Sequence, residues 1–163
     1  MDDFTVVTRI VGACILGGIV GFEREWEKKP AGLRTIMLVT LGSCLVLIMS
    51  QRIPDFVIIT GFENMRVEMT RIQAAIVQGV GFLGAGTIMT GRRTVHGLTT
   101  AAVVWAMSAV GAAAGIGDWV LAISGTIACF VILRNLGPLR PQTPPDPPKT
   151  KSDKKDLPSK EKK

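Results

Sequence analysis

Charge is missing from most of this sequence and concentrated in a few short stretches, and that segregation constrains the fold more than any motif. Five apolar runs stand out, at residues 4–22, 33–51, 72–90, 98–116 and 119–137, separated by segments that are polar or marked by glycine and proline. A helix needs ~20 mostly apolar residues to cross the hydrocarbon core of a bilayer. The expected fold is all-α: a multi-pass transmembrane helix bundle of five helices over residues 1–137. Residues 138–163 read differently, with seven of the nine prolines, Arg140 and seven lysines. Such a segment cannot bury enough apolar surface to offset its ordering entropy, so a disordered tail is expected there.

The net charge of +6 owes +4 to that tail, where eight positive residues face Asp146, Asp153, Asp156 and Glu161. No aromatic residue is interleaved among its lysines, so it offers no stacking platform for bases, and nucleic acid is excluded as a partner. Solvation, orientation and attraction to anionic lipid are the expected roles. With the N-terminus outside, fifteen of the nineteen positive residues fall on the cytoplasmic side: Arg24, Lys28, Lys29 and Arg34, then Arg92 and Arg93, then Arg134, Arg140 and the tail lysines. The positive-inside rule thus favours N-out, C-in. The first run follows Asp2 and Asp3 and lacks a small-residue cleavage site, so it reads as a span and not as a cleaved signal. Cys14, Cys44 and Cys129 lie in apolar runs without metal-ligand spacing and read as small packing residues.

Inside lipid, helices associate through small residues and shared polar groups. Gly17 and Gly21 form a GxxxG step on the first helix, and Gly111 and Gly115 another on the fourth. The third run is denser, with Gly79, Gly81, Gly84 and Gly86. Tight packing, within the chain or between copies, is one reading; a broken helix lining a polar cavity is the other. Gly79-Val-Gly81-Phe-Leu-Gly84 also matches the dinucleotide fingerprint, but it lies in a membrane span and the next acidic residue is Asp118. Without the strand, helix and acidic partner that give the pattern its meaning, it carries no nucleotide site.

The polar stretch from Gly21 to Thr35 joins the first helix to the second. A carboxylate at the membrane boundary is costly without a partner. Glu23 or Glu25 is therefore expected to pair with Arg34 across the hairpin, while Arg24 snorkels to lipid phosphate. Arg71 and Gln78 share a face of the third helix, and Gln78 lies deep enough to need a hydrogen-bond partner on another helix. His96, the single histidine, reads as a loop residue. Glu23, Glu25 and Glu27 are weak candidates for hydrated Mg²⁺, because Arg24, Lys28 and Lys29 largely neutralise them. Neither a phosphate-binding GxxxxGK[ST] loop nor a GxSxG nucleophile elbow is present, so no enzyme chemistry and no cofactor are expected.

Four ordered blocks carry a resemblance. They are Gly21-Phe-Glu-Arg-Glu; Lys29-Pro-Ala-Gly-Leu-Arg-Thr with Leu38-Val-Thr-Leu-Gly-Ser; Arg71-Ile-Gln-Ala-Ala-Ile-Val-Gln-Gly-Val-Gly-Phe-Leu-Gly-Ala-Gly86; and Val95-His-Gly-Leu-Thr-Thr-Ala-Ala with Trp105. Together they resemble the MgtC/SapB family, in its short form without a soluble C-terminal domain. The resemblance implies a bacterial inner-membrane protein linked to magnesium limitation, some of whose relatives act by binding other membrane machines such as the F-type ATP synthase. Many relatives carry His where this chain has Ile36. The family-like positions Glu23, Arg24, Glu25, Arg34, Thr35, Arg71 and Gln78 form the expected polar network. Gly17, Gly21, Gly81, Gly84, Gly86, Gly111 and Gly115 are the expected packing set. The favoured function is a non-enzymatic regulator docking on another membrane protein, or forming a homo-oligomer, in the lipid bilayer; the alternative is a small transporter or channel for Mg²⁺ or another ion.

Overall fold

A computed structural model of the chain describes residues 1–52, 55–90 and 95–136. Among these, five helices run in chain order: α1 (Asp3–Trp26), α2 (Leu33–Arg52), α3 (Asp55–Gly86), α4 (Leu98–Ile116) and α5 (Trp119–Leu136). A short antiparallel ladder, β1 (Met89–Thr90) on β2 (Val95–His96), joins α3 to α4. By length and composition α1, α2 and α4 each suffice to cross a membrane, and Trp119–Asn135 is a shorter apolar helix. The expected tail at 138–163 lies outside the described residues, as do Arg92 and Arg93.

Two helices differ from the hydropathy reading. The third was expected at 72–90, yet α3 begins at Asp55 and ends at Gly86, with Met89 and Thr90 already in the ladder. Hydropathy marks the segment that lipid tolerates, whereas a helix satisfies its own backbone and continues into polar sequence until something stops it. Between Asp55 and Arg71 there is a single glycine and no proline to do so. For the same reason α1 runs four residues beyond the expected end at 22, through Glu23, Arg24, Glu25 and Trp26. That extension places Arg24 on the inward face, because Ala13, Gly17, Val20, Gly21 and Arg24 follow helical spacing and are all buried.

The bundle is built around α2 and α4. Helix α2 lies between α1 and α4, and α4 touches each of the other four helices. Glycines set these approaches. A Cβ at Gly17 would stand 3.1 Å from the Met37 Cα, and one at Gly21 would stand 2.8 Å from the Leu33 Cα. From the opposite side, a Cβ at Gly111 would overlap the Thr40 carbonyl, and one at Gly115 would lie 2.7 Å from the Cys44 oxygen. One turn of α2 around Thr40 is thus clasped from both sides by glycines. Ala13, Val20, Ile36, Cys44, Leu47, Val104, Met107 and Ala114 fill the core around it. Thr40 and Ser108 turn their hydroxyls onto carbonyls of their own helices, those of Ile36 and Trp105 (both 2.8 Å), so neither needs a partner across the core.

Helices α4 and α5 are joined by a turn at Gly117, where φ is +90°. Its amide reaches the carbonyls of Ala113 and Ala114, and Asp118 then opens α5 by accepting the Leu121 N–H at 3.0 Å. Glycine tolerates the left-handed region without the Cβ penalty, which is why α4 stops there.

Candidate functional site

The least exposed charged side chains among the described residues, Arg24 and Glu23 at one end and Arg9 at the other, lie at the two ends of the bundle. At the end formed by the C-terminus of α1 and the N-termini of α2 and α4, Arg24 is buried to 4% exposure. Its Nη2 donates to Thr100 Oγ1 at 2.9 Å and to the Pro30 carbonyl at 3.4 Å, tying α1 to α4 and to the connecting loop. The sequence reading sent Arg24 outward to lipid phosphate; the longer α1 turns it inward instead.

Glu25 reaches back to α2, though not to Arg34. Its Oε2 accepts the Leu33 N–H at 2.9 Å, capping one of the orphan donors at the start of α2. Gly32 makes room, since a Cβ there would stand 3.0 Å from that same oxygen. Arg34 and Thr35 are both exposed on the first turn of α2, and neither Glu23 nor Glu25 pairs with Arg34. The Leu33 amide is fixed by the backbone at the start of α2, whereas the Arg34 guanidinium ends a long mobile side chain, so the hairpin closes by capping and not by an ion pair. Ile36, where many relatives have His, is fully buried and packs beside Gly21.

Glu23 faces elsewhere. Its Oε2 is buried without a hydrogen-bond partner among the described residues. It lines a cavity of about 1180 Å³ bounded by the last turns of α1, the loop at Lys29 and Pro30, the start of α4, and the last turns of α5. Lys29, His96, Thr99, Thr100 and Arg134 contribute polar groups, while Phe22, Trp26, Phe130 and Leu133 form an apolar wall. Hence His96 is an exposed residue of β2 on the cavity rim. Among the described residues no group of three His, Cys, Asp or Glu side chains is placed to hold a metal ion.

The opposite end holds a polar cluster that sequence reasoning missed. Arg9, six residues into α1, donates from Nη1 to the Gly115 carbonyl at 2.7 Å and to Gln51 Oε1 at 3.1 Å. Gln51 Nε2 donates to the same carbonyl at 2.9 Å. Three helices meet there on one carbonyl of the C-terminal turn of α4, where the helix dipole presents negative charge to a cation. Arg52 and Asp3 add an ion pair at the surface. The available signal was Arg9 itself, a guanidinium inside an apolar run, which in lipid demands a partner.

Helix α3 behaves differently from the rest. Only Gly84 packs closely, with its absent Cβ 3.6 Å from that of Ala101. A Cβ at Gly79, Gly81 or Gly86 would have nothing within 4 Å among the described residues, so two of the glycines expected to pack helices, Gly81 and Gly86, meet no other helix there. Gln78 is exposed and makes no side-chain hydrogen bond among the described residues, and Arg71 is exposed on the same helix.

Residues 10–141 match the sequence model of the MgtC family. The chain belongs to the MgtC family. An uncharacterized protein of Haemophilus influenzae is 34% identical over 139 residues, covering 85% of this chain and 58% of that protein. YhiD of Escherichia coli K12, named as a candidate magnesium transporter, is 37% identical over 127 residues, 78% of this chain and 58% of YhiD. Protein MgtC of Salmonella typhimurium is 37% identical over 125 residues, 76% of this chain and 49% of that protein. This MgtC-family chain therefore spans about half to three-fifths of the length of these relatives. No solved structure matches it. The match covers the Glu23 end and the glycine clasp, and at the other end it leaves out Arg9 and Asp3.

Proposed function

We propose that this chain is a non-enzymatic protein of magnesium homeostasis in a bacterial inner membrane, regulating another membrane protein through the open face of α3. The observation that carries the reading is the unpartnered glycine set. A Cβ at Gly79, Gly81 or Gly86 would meet nothing within 4 Å among the described residues, while Phe82 beside them is 80% exposed. Glycines in a membrane helix allow close backbone approach, and in this reading the approaching helix comes from another molecule. The magnesium connection rests on membership of the MgtC family and on the name of the YhiD relative. The positive-inside rule puts the Glu23 end in the cytoplasm and the Arg9 end outside.

A conduit is less well supported. The charged groups of the two clusters sit at the two ends, and between them the bundle is filled by Val20, Cys44, Val104 and Met107, all under 3% exposed, with the Thr40 and Ser108 hydroxyls turned onto their own helices. The test compares two preparations of the full chain from native membranes in mild detergent. Wild-type protein should recover a membrane protein that Gly81→Leu fails to recover, the substitution having open space within the chain itself. Protein-dependent Mg²⁺ uptake into vesicles containing the purified chain alone would overturn the regulator in favour of a small ion transporter.

A further inference from the structure

The cavity at Glu23 does not end at the edge of the polar region. Phe22 and Phe130 line it and also line a second concavity, an apolar groove of about 720 Å³ along α1. Ile10, Cys14, Ile15, Gly18 and Ile19 form its floor, and Leu33 and Met37 of α2 form one flank. From Phe22 to Ile10 is twelve residues, roughly 18 Å of helix at 1.5 Å per residue. One leaflet of the hydrocarbon core is about 15 Å deep, half of ~30 Å. The groove therefore has the reach of one acyl chain. It begins where an interfacial aromatic pair stands, Phe22 and Trp26, with ring centroids 6.1 Å apart.

We propose that the cavity and the groove are one site for a phospholipid with a primary-ammonium headgroup, phosphatidylethanolamine. The groove takes an acyl chain. The cavity takes a headgroup that carries both signs of charge, because the cavity itself does: Lys29 and Arg134 in its lining offer donors to a phosphate, and Glu23 and Glu27 in the same lining offer acceptors. Glu23 decides the class. Its buried Oε2 has no donor among the described residues, and a buried acceptor without one is costly. An ethanolamine ammonium brings three N–H donors, whereas the choline group of the same net charge brings none. Arg24 is not needed for the ligand; it is engaged by Thr100 and Pro30 and forms the back of the pocket. This site is separate from the α3 face and stands or falls independently of the magnesium reading.

Native mass spectrometry of the full chain in mild detergent tests it, titrating phosphatidylethanolamine, phosphatidylcholine and soluble glycerophosphoethanolamine. One phosphatidylethanolamine should be retained per chain, about tenfold more tightly than phosphatidylcholine, the worth of one hydrogen bond to a charged group. Glu23→Gln should remove most of that preference. Gly18→Leu should weaken retention of both lipids by filling the groove. It is expected to fold, since a Cβ at Gly18 meets only ordinary contacts, 3.8 Å from the Met37 Sδ and 3.9 Å from Leu33. Gly42→Leu, in open space elsewhere, is the control and should leave retention unchanged. Equal retention of the two lipids by the wild type, or undiminished retention by Gly18→Leu, overturns the proposal. Binding of the soluble headgroup as tightly as the lipid would overturn it as well, by showing that the groove contributes nothing.

Discussion

The clasp at Thr40 makes a prediction whose sign depends on tertiary structure alone. In an isolated helix, Gly→Ala is favourable by up to about 1 kcal/mol, through helix propensity. Gly42 of α2 has nothing within 4 Å, so Gly42→Ala should show that gain and little else. Gly111 of α4 is a comparable mid-helix glycine, but a Cβ there overlaps the carbonyl carbon and oxygen of Thr40 and reaches 2.9 Å from its Cα. That obstacle is backbone inside a helix held on its other side by Gly17, so no rotamer change relieves it. Overpacking of this kind costs ~1–3 kcal/mol, and a rigid obstacle places the cost at the upper end. Subtracting the propensity gain leaves Gly111→Ala destabilised by about 2 kcal/mol, some thirtyfold in the unfolding equilibrium. The assay is reversible unfolding by added dodecyl sulfate in mixed micelles, followed by the fluorescence of Trp26, Trp105 and Trp119. Gly111→Ala should unfold at lower, and Gly42→Ala at equal or higher, detergent fraction than wild type. If Gly111→Ala is as stable as wild type, or the order of the two is reversed, α2 and α4 do not approach as described.

Other outcomes follow from the two polar ends. Arg24→Met and Thr100→Val should each destabilise the chain by ~1–3 kcal/mol, as expected where a buried hydrogen bond loses one partner. A double-mutant cycle by the same assay should give a coupling of ~0.5–3 kcal/mol between them, and zero coupling would refute their contact. Gln51→Leu should cost about 1 kcal/mol in wild-type background and less when Arg9 is already Met, because the hydrogen bond from Arg9 to Gln51 Oε1 is then already lost. Glu25→Ala should cost ~0.5–2 kcal/mol through loss of the cap on Leu33, and Glu25→Asp, one methylene shorter, should fail to restore it. Arg52→Ala should leave the midpoint unchanged in physiological salt, since its pair with Asp3 is exposed and screened.

The helices and their order were legible in the sequence. In lipid the backbone has one local way to satisfy itself, so a run such as Leu98–Ile116 reads directly as an element with its ends. Gly117 and Asp118 could be read as a turn for equally local reasons. The small residues Gly17, Gly21, Gly111 and Gly115 were readable as contact points, although not that all four converge on α2. Local sequence says nothing of which face a helix extension turns inward. That is why Arg24 was expected at lipid phosphate and Glu23 or Glu25 opposite Arg34, when four further residues of α1 carry Arg24 to Thr100 and leave Glu25 to cap α2. Arg9 was visible as an anomaly, but its partners lie 42 and 106 residues away, and only the packing of three helices brings Gln51 and the Gly115 carbonyl to it. The glycines of α3 make the same point in reverse: their density was plain from the sequence, while their exposure is a property of where α3 sits. Composition and periodicity determine elements because those depend on neighbours along the chain; sites depend on neighbours in space, and here those were decided by how close glycine allowed the helices to come.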